Sequence, residues 1–287
     1  MSRDLESLVR NINQLPTLPS IVAEINRLVA DPDSDAEDVG FLIANDMTIA
    51  AKVLRAVNSA HYGFSRKITD IKDAIVHLGF RTVRDIAVSI SIFESLGRKG
   101  SVGQFHRGKF WEHSLGVGFA AEIIARKVAY PHANAVFMAG LLHDIGKVIF
   151  DQFTPDKFRE TIDLTSREDI LFYESEKRVY NYDHAQVGAW MLEQWKLSED
   201  LCEAVGFHHS PSSDKVKLDG DMTAIVHLAD IFTRAINIGS GGDNRIPEIN
   251  GEVAVRYQGL LESNLVNCFE EVSREMKKAG SFLKFLQ

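Results

Sequence analysis

Apolar side chains recur every three or four residues along most of the chain, which is the spacing of one face of an α-helix. Ile49, Val53 and Val57 form one such face. No stretch of four or more residues alternates strictly between apolar and polar positions, so the pattern predicts no strand. The chain is therefore predicted to be all-α and multi-helical.

Prolines and capping residues divide the N-terminal third into short helices. Residues 4–13 have helical spacing, and the turn Leu15–Pro19 follows them because a proline bars a helix from continuing through it. Ser34–Glu37 has the pattern of a capping box, in which a hydroxyl and a carboxylate each satisfy a free backbone N–H. Asp46 and Asp70 are predicted to cap two further helices.

A loop with three glycines, Gly97–Gly103, predicts a boundary between two helical subdomains. Residues 1–97 would form the N-terminal subdomain, and residues 104–287 would form the second. Within the second, the apolar pattern predicts continuous helices over Phe105–Ala129 and Asn134–Phe150.

The stretch Gly140–Lys147 places reactive side chains at the end of an apolar run. His143 and the adjacent Asp144 can supply one nitrogen and one oxygen ligand to the same metal ion. Asp144 has a second oxygen free to bridge to another ion, and Lys147 is placed to meet an anionic substrate oxygen. Taken alone, such a His–Asp pair more often caps a helix or faces water.

Further histidines and one aspartate occur on the apolar faces of later helices. Polar groups in such positions need partners, and a shared ion satisfies several of them at once where facing helices converge. Mixed imidazole and carboxylate ligands suit iron, manganese, nickel, cobalt or zinc better than magnesium or calcium. The sequence therefore predicts two divalent transition-metal ions, with the ligands His113, His143, Asp144, His184, His208, His209 and Asp230.

Two other polar residues have a structural interpretation. His227 precedes Asp230 by about one helical turn and is predicted to be a neighbour of the site, not a ligand. Asn58 follows a predicted helix, and a capping role is expected for it ahead of a binding role.

Composition and charge narrow the class of protein. The 287 residues are 45% hydrophobic and 25% charged, which is typical of a globular protein. The net charge of −8 argues against direct binding of nucleic acid, which needs a basic surface. The sequence shows no signal segment, no apolar run that suggests a membrane helix, and no CxxC pair. These features predict a cytoplasmic protein that does not bind a membrane.

Several motifs together resemble the HDOD family of the HD metal-dependent phosphohydrolase superfamily. The order His, His-Asp, His, His-His, Asp is similar to the two-metal form of that superfamily. The likeness covers about residues 8–235 and is carried by the segments Leu15–Pro19, Ile43–Asp46, Leu54–Ala60, Tyr62–Gly63, Ala74–Gly79, Gly140–Gly146 and His184–Leu197.

The resemblance implies a helical domain of bacterial signalling proteins, with an HD-like bundle in its second half. Many members have lost the HD ligands, whereas this sequence keeps the full set. Carried over, the resemblance implies one ion at His113, His143, Asp144 and Asp230. It implies a second ion at Asp144, His184, His208 and His209, and a phosphate-binding role for Lys147.

Two functions remain open at the level of sequence. The family favours a regulatory module that holds metal and acts through other signalling proteins. The complete ligand set is similar to the HD-GYP phosphodiesterases of cyclic di-GMP and favours a metal-dependent phosphohydrolase acting on a nucleotide or cyclic dinucleotide, with Asp144 and Lys147 as catalytic residues. The Gly-Tyr-Pro signature is absent after His208-His209, and Lys109 stands where some members place an extra carboxylate.

Overall fold

A computed structural model describes residues 20–31, 33–58, 64, 66–96, 101–102, 105–243 and 245–278. The predicted helix 4–13, the turn Leu15–Pro19, most of the Gly97–Gly103 loop and the end of the last predicted helix lie outside these residues. The described residues fall into two compact units. The N-terminal unit lies within Pro16–Arg98, together with Arg274–Lys278, and the C-terminal unit lies within Lys99–Ser273.

The N-terminal unit is built from short amphipathic helices that bury their apolar faces. Val22, Ile43, Val53 and Val57 are fully buried in its core. Its helices are α1 (Ser20–Ala30), α2 (Ala36–Asn45), α3 (Met47–Val57), α4 (Ile71–Leu78) and α5 (Phe80–Ser95).

The C-terminal unit begins with a small antiparallel hairpin and continues as a bundle. The hairpin pairs β1 (Ser101–Val102) with β2 (Phe105–His106) and is the only sheet in the part of the chain that the structure describes. The helices are α6 (Arg107–Lys127), α7 (Ala133–Leu142), α8 (Ile145–Phe153), α9 (Pro155–Glu168), α10 (Phe172–Tyr180), α11 (His184–Gln194), α12 (Glu199–Phe207), α13 (Gly220–Ala235), α14 (Gly251–Arg256), α15 (Gln258–Ser263) and α16 (Leu265–Lys278). Helix α16 belongs to this unit as far as Ser273.

The all-α prediction is confirmed, with local differences in the helix boundaries. Asp46 caps α3 and Asp70 caps α4, as predicted, by accepting hydrogen bonds from backbone N–H groups of the first turn. The predicted box at Ser34–Glu37 is wrong by one residue, because Asp35 is the cap and Asp38 completes the box. The Asp35 carboxylate accepts from the backbone N–H groups of Glu37 and Asp38. Helix α6 begins at Arg107, since β2 takes the preceding residues.

The predicted continuous helix over Asn134–Phe150 is wrong, because the chain turns at His143-Asp144 between α7 and α8. Helix α8 then runs in contact with the start of α11. A Cβ atom at Gly146 would lie 2.1 Å from the carbonyl oxygen of His184. The turn therefore brings the His-Asp pair and His184 together in the core. None of the described helices is both long enough and apolar enough to cross a membrane.

Candidate metal centre

Six of the seven predicted metal ligands are buried together in the C-terminal unit. Helix α6 carries His113, the turn between α7 and α8 carries His143 and Asp144, and α13 carries Asp230. His184 is the first residue of α11, and His208 follows α12 directly. None of these six is more than 2% exposed, whereas His209 is partly exposed.

One group of ligands surrounds the Oδ2 atom of Asp144. This oxygen lies 3.3 Å from Nε2 of His143 and 3.8 Å from Nε2 of His113. Asp230 joins the group from α13, since its Oδ1 lies 3.0 Å from Nε2 of His113 and 3.7 Å from Nε2 of His143. The ligand atoms of His113, His143 and Asp144 all lie within 4.8 Å of one another, close enough to share one ion.

A second group surrounds the other oxygen of Asp144. Its Oδ1 atom lies 2.8 Å from Nε2 of His184 and 4.0 Å from Nε2 of His208. Nε2 of His209 lies 2.9 Å from Nε2 of His184. These four residues also offer ligand atoms within 4.8 Å of one another. Asp144 therefore stands between two groups and turns one oxygen to each.

Several of these atoms have no hydrogen-bond partner within the described residues. They are Nε2 of His113, His143 and His208, and Oδ1 of Asp144, so the short distances around them lack acceptable hydrogen-bond geometry. Leaving such atoms buried and unpaired costs free energy. The donor set of imidazole nitrogen and carboxylate oxygen is that of a transition-metal site, and the residues present fit such an ion.

Hydrogen bonds at the opposite ring nitrogens fix the orientation of three histidines. Nδ1–H of His143 donates to the carbonyl oxygen of Gly140 at 2.7 Å, and that of His208 donates to Val205 at 2.7 Å. Nδ1–H of His184 donates to Oε2 of Glu176 at 2.5 Å. Because a carbonyl or carboxylate oxygen can only accept, Nδ1 carries the proton and Nε2 is left as the ligand atom in the neutral ring.

Burial and charge set the ionisation of the group. Burial holds the pKa of His113, His208 and His209 below the ordinary value of histidine. For Asp144, burial alone would raise the pKa, but interactions with His143, Lys147 and His184 bring it well below its usual range. Neutral imidazoles beside an ionised carboxylate are the forms that bind metal.

The pKa of His184 changes in the opposite direction. Burial alone would lower it, but the carboxylates of Glu176 and Asp144 raise it to about 9. The imidazole is thus held between two carboxylates, one on each ring nitrogen. Such a carboxylate–histidine pair is common behind metal ligands.

Lys147 is fully buried and faces the first group. Its ammonium donates to Oδ2 of Asp144 at 2.7 Å and to the carbonyl oxygen of Gly241 at 2.7 Å. Lys147 thus lies beside the carboxylate of Asp144, and its role toward a substrate stays a prediction.

His227 and Asn58 have structural partners. Nδ1–H of His227 donates to the carbonyl oxygen of His208 at 2.8 Å, and its Nε2 accepts from the backbone N–H of Asn250 at 3.0 Å. Both ring nitrogens are thus occupied. The Asn58 side chain bonds to the backbone of Leu54 and Ile68.

Three residues that surround the centre were missed by sequence reasoning. Glu176 lies eight positions before His184 but on the preceding helix, so no periodic pattern pairs the two residues. Arg234 donates to Oδ1 of Asp230 at 2.8 Å, and the four-residue spacing on one helix was a signal for that pair. Asp243 accepts from Arg234 at 2.7 Å and follows a glycine-rich turn, where no periodic pattern indicates its partner.

Known proteins of similar fold cover almost the whole chain. An HDOD domain protein of unknown function from Geobacter sulfurreducens has a TM-score of 0.76 and 26% identity, over 98% of this chain and 94% of that one. A candidate phosphohydrolase from Shewanella amazonensis has a TM-score of 0.73 and 22% identity, over 96% and 98%.

Sequence comparison gives the family. An uncharacterised protein of Treponema pallidum is 26% identical over 205 residues, which are 71% of this chain and 39% of that protein. The chain thus spans less than half the length of the curated relatives it matches. The model of the HDOD domain matches residues 15–211, more than half of the chain, and the protein therefore belongs to the HDOD family.

Proposed function

We propose that this protein is an HDOD-type signalling module whose C-terminal unit binds two divalent transition-metal ions. The observation that carries the proposal is the convergence of buried, unpaired ligand atoms on the two oxygens of Asp144. A folded core rarely keeps so many polar atoms without partners. Iron, manganese, nickel, cobalt and zinc all accept this mixture of ligands.

The residues divide between the two ions in the way that the distances suggest. His113, His143, Asp144 and Asp230 would hold one ion, and Asp144, His184, His208 and His209 would hold the other. When bound, such ions supply Lewis acidity that suits phosphate esters. Glu176 orients His184, and Arg234 keeps the Asp230 carboxylate ionised and in place.

A signalling role is favoured by how closed the centre is. Apart from His209, the proposed ligands are almost fully buried, and the backbone of Gly241 lies against them. The module would then act by binding other signalling proteins. We place this module in the cytoplasm, and its net charge of −8 disfavours a direct role on nucleic acid.

A second candidate function is hydrolysis of a phosphate ester, and the geometry around Lys147 favours it. The buried ammonium lies beside the shared carboxylate, where it can bind a phosphoryl oxygen. Asp144 would hold the reacting centre, and a nucleotide or cyclic dinucleotide would be the substrate.

Metal content and turnover measured together test both functions. The purified protein is assayed for metal and screened against nucleotides, cyclic dinucleotides and a bis-aryl phosphodiester, beside Asp144→Ala. Asp163→Ala is the control, because Asp163 is exposed and distant in sequence from the centre. We expect up to two ions per chain in the wild type and in the control, with clear loss in Asp144→Ala.

Each outcome separates the alternatives. Metal-dependent turnover that Asp144→Ala abolishes would establish the enzyme and reject a purely regulatory module. Bound metal without turnover on any of these substrates supports the signalling module. A wild-type protein that takes up no metal from iron, manganese or zinc solutions would reject both.

A further inference from the structure

The segment Gly239–Asp243, called here the covering segment, lies directly on the first ligand group. Gly239 has a φ of +64°, and a Cβ atom there would lie 2.2 Å from the backbone nitrogen of His113. The N–H of Ser240 donates to the carbonyl oxygen of Lys109 at 3.0 Å. Glycine is therefore required for this close approach to α6.

Gly241 stands at the ligands themselves. A Cβ atom on it would lie 3.3 Å from Oδ2 of Asp144 and 3.4 Å from Nε2 of His113. Its carbonyl oxygen accepts a hydrogen bond from the ammonium of Lys147. The backbone of the covering segment thus fills the space in front of the first group and gives the buried lysine an oxygen.

A second buried cation is satisfied by the same segment. The Arg234 side chain is 7% exposed, and its Nη1 donates to Oδ1 of Asp243 at 2.7 Å. The other oxygen of Asp243 accepts from the backbone N–H of Phe172 at 3.1 Å. The covering segment therefore supplies a carbonyl oxygen to one cation and a carboxylate to the other.

These contacts are the kind that an oxyanion makes. Arginine and lysine bind phosphate through the same charge-assisted hydrogen bonds that they make here to Asp243 and Gly241. The covering segment, Gly-Ser-Gly-Gly-Asp, also contributes no apolar side chain to the core. Displacing the segment would therefore expose no apolar side chain of its own. Phosphate oxygens would replace the oxygens of Gly241 and Asp243, so both cations would stay paired.

We infer that the covering segment occupies an anion-binding subsite formed by Lys147 and Arg234, and that it moves aside when a phosphate-bearing ligand binds. This inference rests on the proposed function, since the subsite adjoins the proposed metal ligands. It assigns Arg234 to ligand binding and gives the closed centre a way to respond to a ligand. Movement of the segment would change its contacts with α6 and with Phe172.

The test uses the full chain loaded with Co²⁺ and inorganic phosphate as the probe. Phosphate binding is followed by the Co²⁺ absorption spectrum, and hydrogen exchange of the covering segment is measured with and without phosphate. Metal content is determined on every sample. In the wild type, saturating phosphate should speed exchange of the covering segment.

Asp243→Asn weakens the anchor of the segment with little change of volume. If the open state is populated at about one tenth in the wild type, freeing the segment tightens phosphate binding about tenfold. Gly241→Ala acts from the other side, because its Cβ would press on Arg234 and Asp144, and it should also tighten binding. Asp163→Asn and Gly259→Ala are the controls; a Cβ at Gly259 meets nothing within 4 Å.

The outcomes are distinguishable. A wild type that binds no metal rejects the proposed function and this inference with it. Bound metal and bound phosphate with unchanged or slower exchange of the covering segment rejects the inference alone. If the protein is fully loaded with metal but neither the wild type nor Asp243→Asn binds phosphate, the inference alone is again rejected. If Asp243→Asn fails to fold, the wild-type exchange result still decides.

Discussion

Glu176 shows how one side chain organises its neighbour at the residue scale. Its Oε2 atom accepts from both the backbone N–H of His184, at 2.9 Å, and the ring Nδ1–H, at 2.5 Å. Two bonds to one oxygen fix the rotation of the imidazole and direct its Nε2 toward Asp144. Burial raises the pKa of Glu176, and the His184 charge opposes that rise. Glu176 is therefore a positioning residue.

Replacing Glu176 by glutamine should weaken metal binding about 10- to 100-fold, because partners behind a metal ligand contribute that much to affinity. A competition titration with a chromophoric chelator measures the change. Glu160→Gln, at an exposed position on α9, is the matched control and should leave affinity unchanged. If the Glu176→Gln protein binds metal as tightly as the wild type, His184 needs no orienting partner.

Asn58 has a structural role in the N-terminal unit. Its side chain donates to the carbonyl oxygens of Leu54 and Ile68, both at 2.7 Å, and accepts from the N–H of Ile68 at 2.8 Å. Asn58→Ala should lower the free energy of unfolding by about 1–3 kcal/mol, since backbone groups near a buried Ile68 lose their partners. Urea unfolding measures this, beside the exposed Asn45→Ala. Unchanged stability would mean that water replaces these bonds.

Sequence reasoning found the candidate ligands and missed the residues that hold them. His143-Asp144 and His208-His209 are visible because adjacent polar residues interrupt an apolar pattern. Glu176 and Asp243 lie outside the helices of their partners His184 and Arg234, and nothing in the sequence distinguishes either carboxylate from the other acidic residues, 40 in all. Such contacts depend on tertiary packing, which hydrophobic periodicity does not encode.

At the scale of elements, close helix contacts bring the candidate ligands together. A Cβ atom at Gly140 would lie 2.8 Å from the carbonyl oxygen of Val117, so α7 approaches the backbone of α6. Gly146 brings α8 still closer to the first residue of α11. These approaches carry His113, Asp144 and His184 into one region of the core.

Gly146→Ala should therefore separate α8 from α11. The 2.1 Å distance from its Cβ to the His184 carbonyl oxygen forces a backbone shift, and overpacking of this kind costs roughly 1–3 kcal/mol or more. The unfolding temperature and the metal affinity should both fall. Gly259→Ala, on an open helix face, is the control. Loss of stability without any loss of metal affinity would contradict the link between this contact and the centre.

The helices were predictable and the break between α7 and α8 was not. Helical spacing and the caps Asp46 and Asp70 depend on neighbours within a few residues, so the chain itself carries the signal. The run through Asn134–Phe150 stays apolar on both sides of His143-Asp144, and no proline marks the turn. The turn allows Gly146 to meet α11, which is again a tertiary contact.

At the scale of the whole molecule, the proposed centre links metal binding to the stability of the C-terminal unit. The proposed ligands come from different helices and from the turns that follow them, so unfolding would separate them and release the ions. A ligand that binds only the folded state at about 100 times its Kd stabilises that state by about 2.7 kcal/mol. Removing metal with a chelator should therefore lower the unfolding temperature of the wild type by several degrees. Calorimetry measures the shift, and Asp144→Ala should show little response to the chelator. A wild-type unfolding temperature that is the same with and without bound metal would mean that the ligands are not held in place by the fold, against the burial and convergence seen around Asp144.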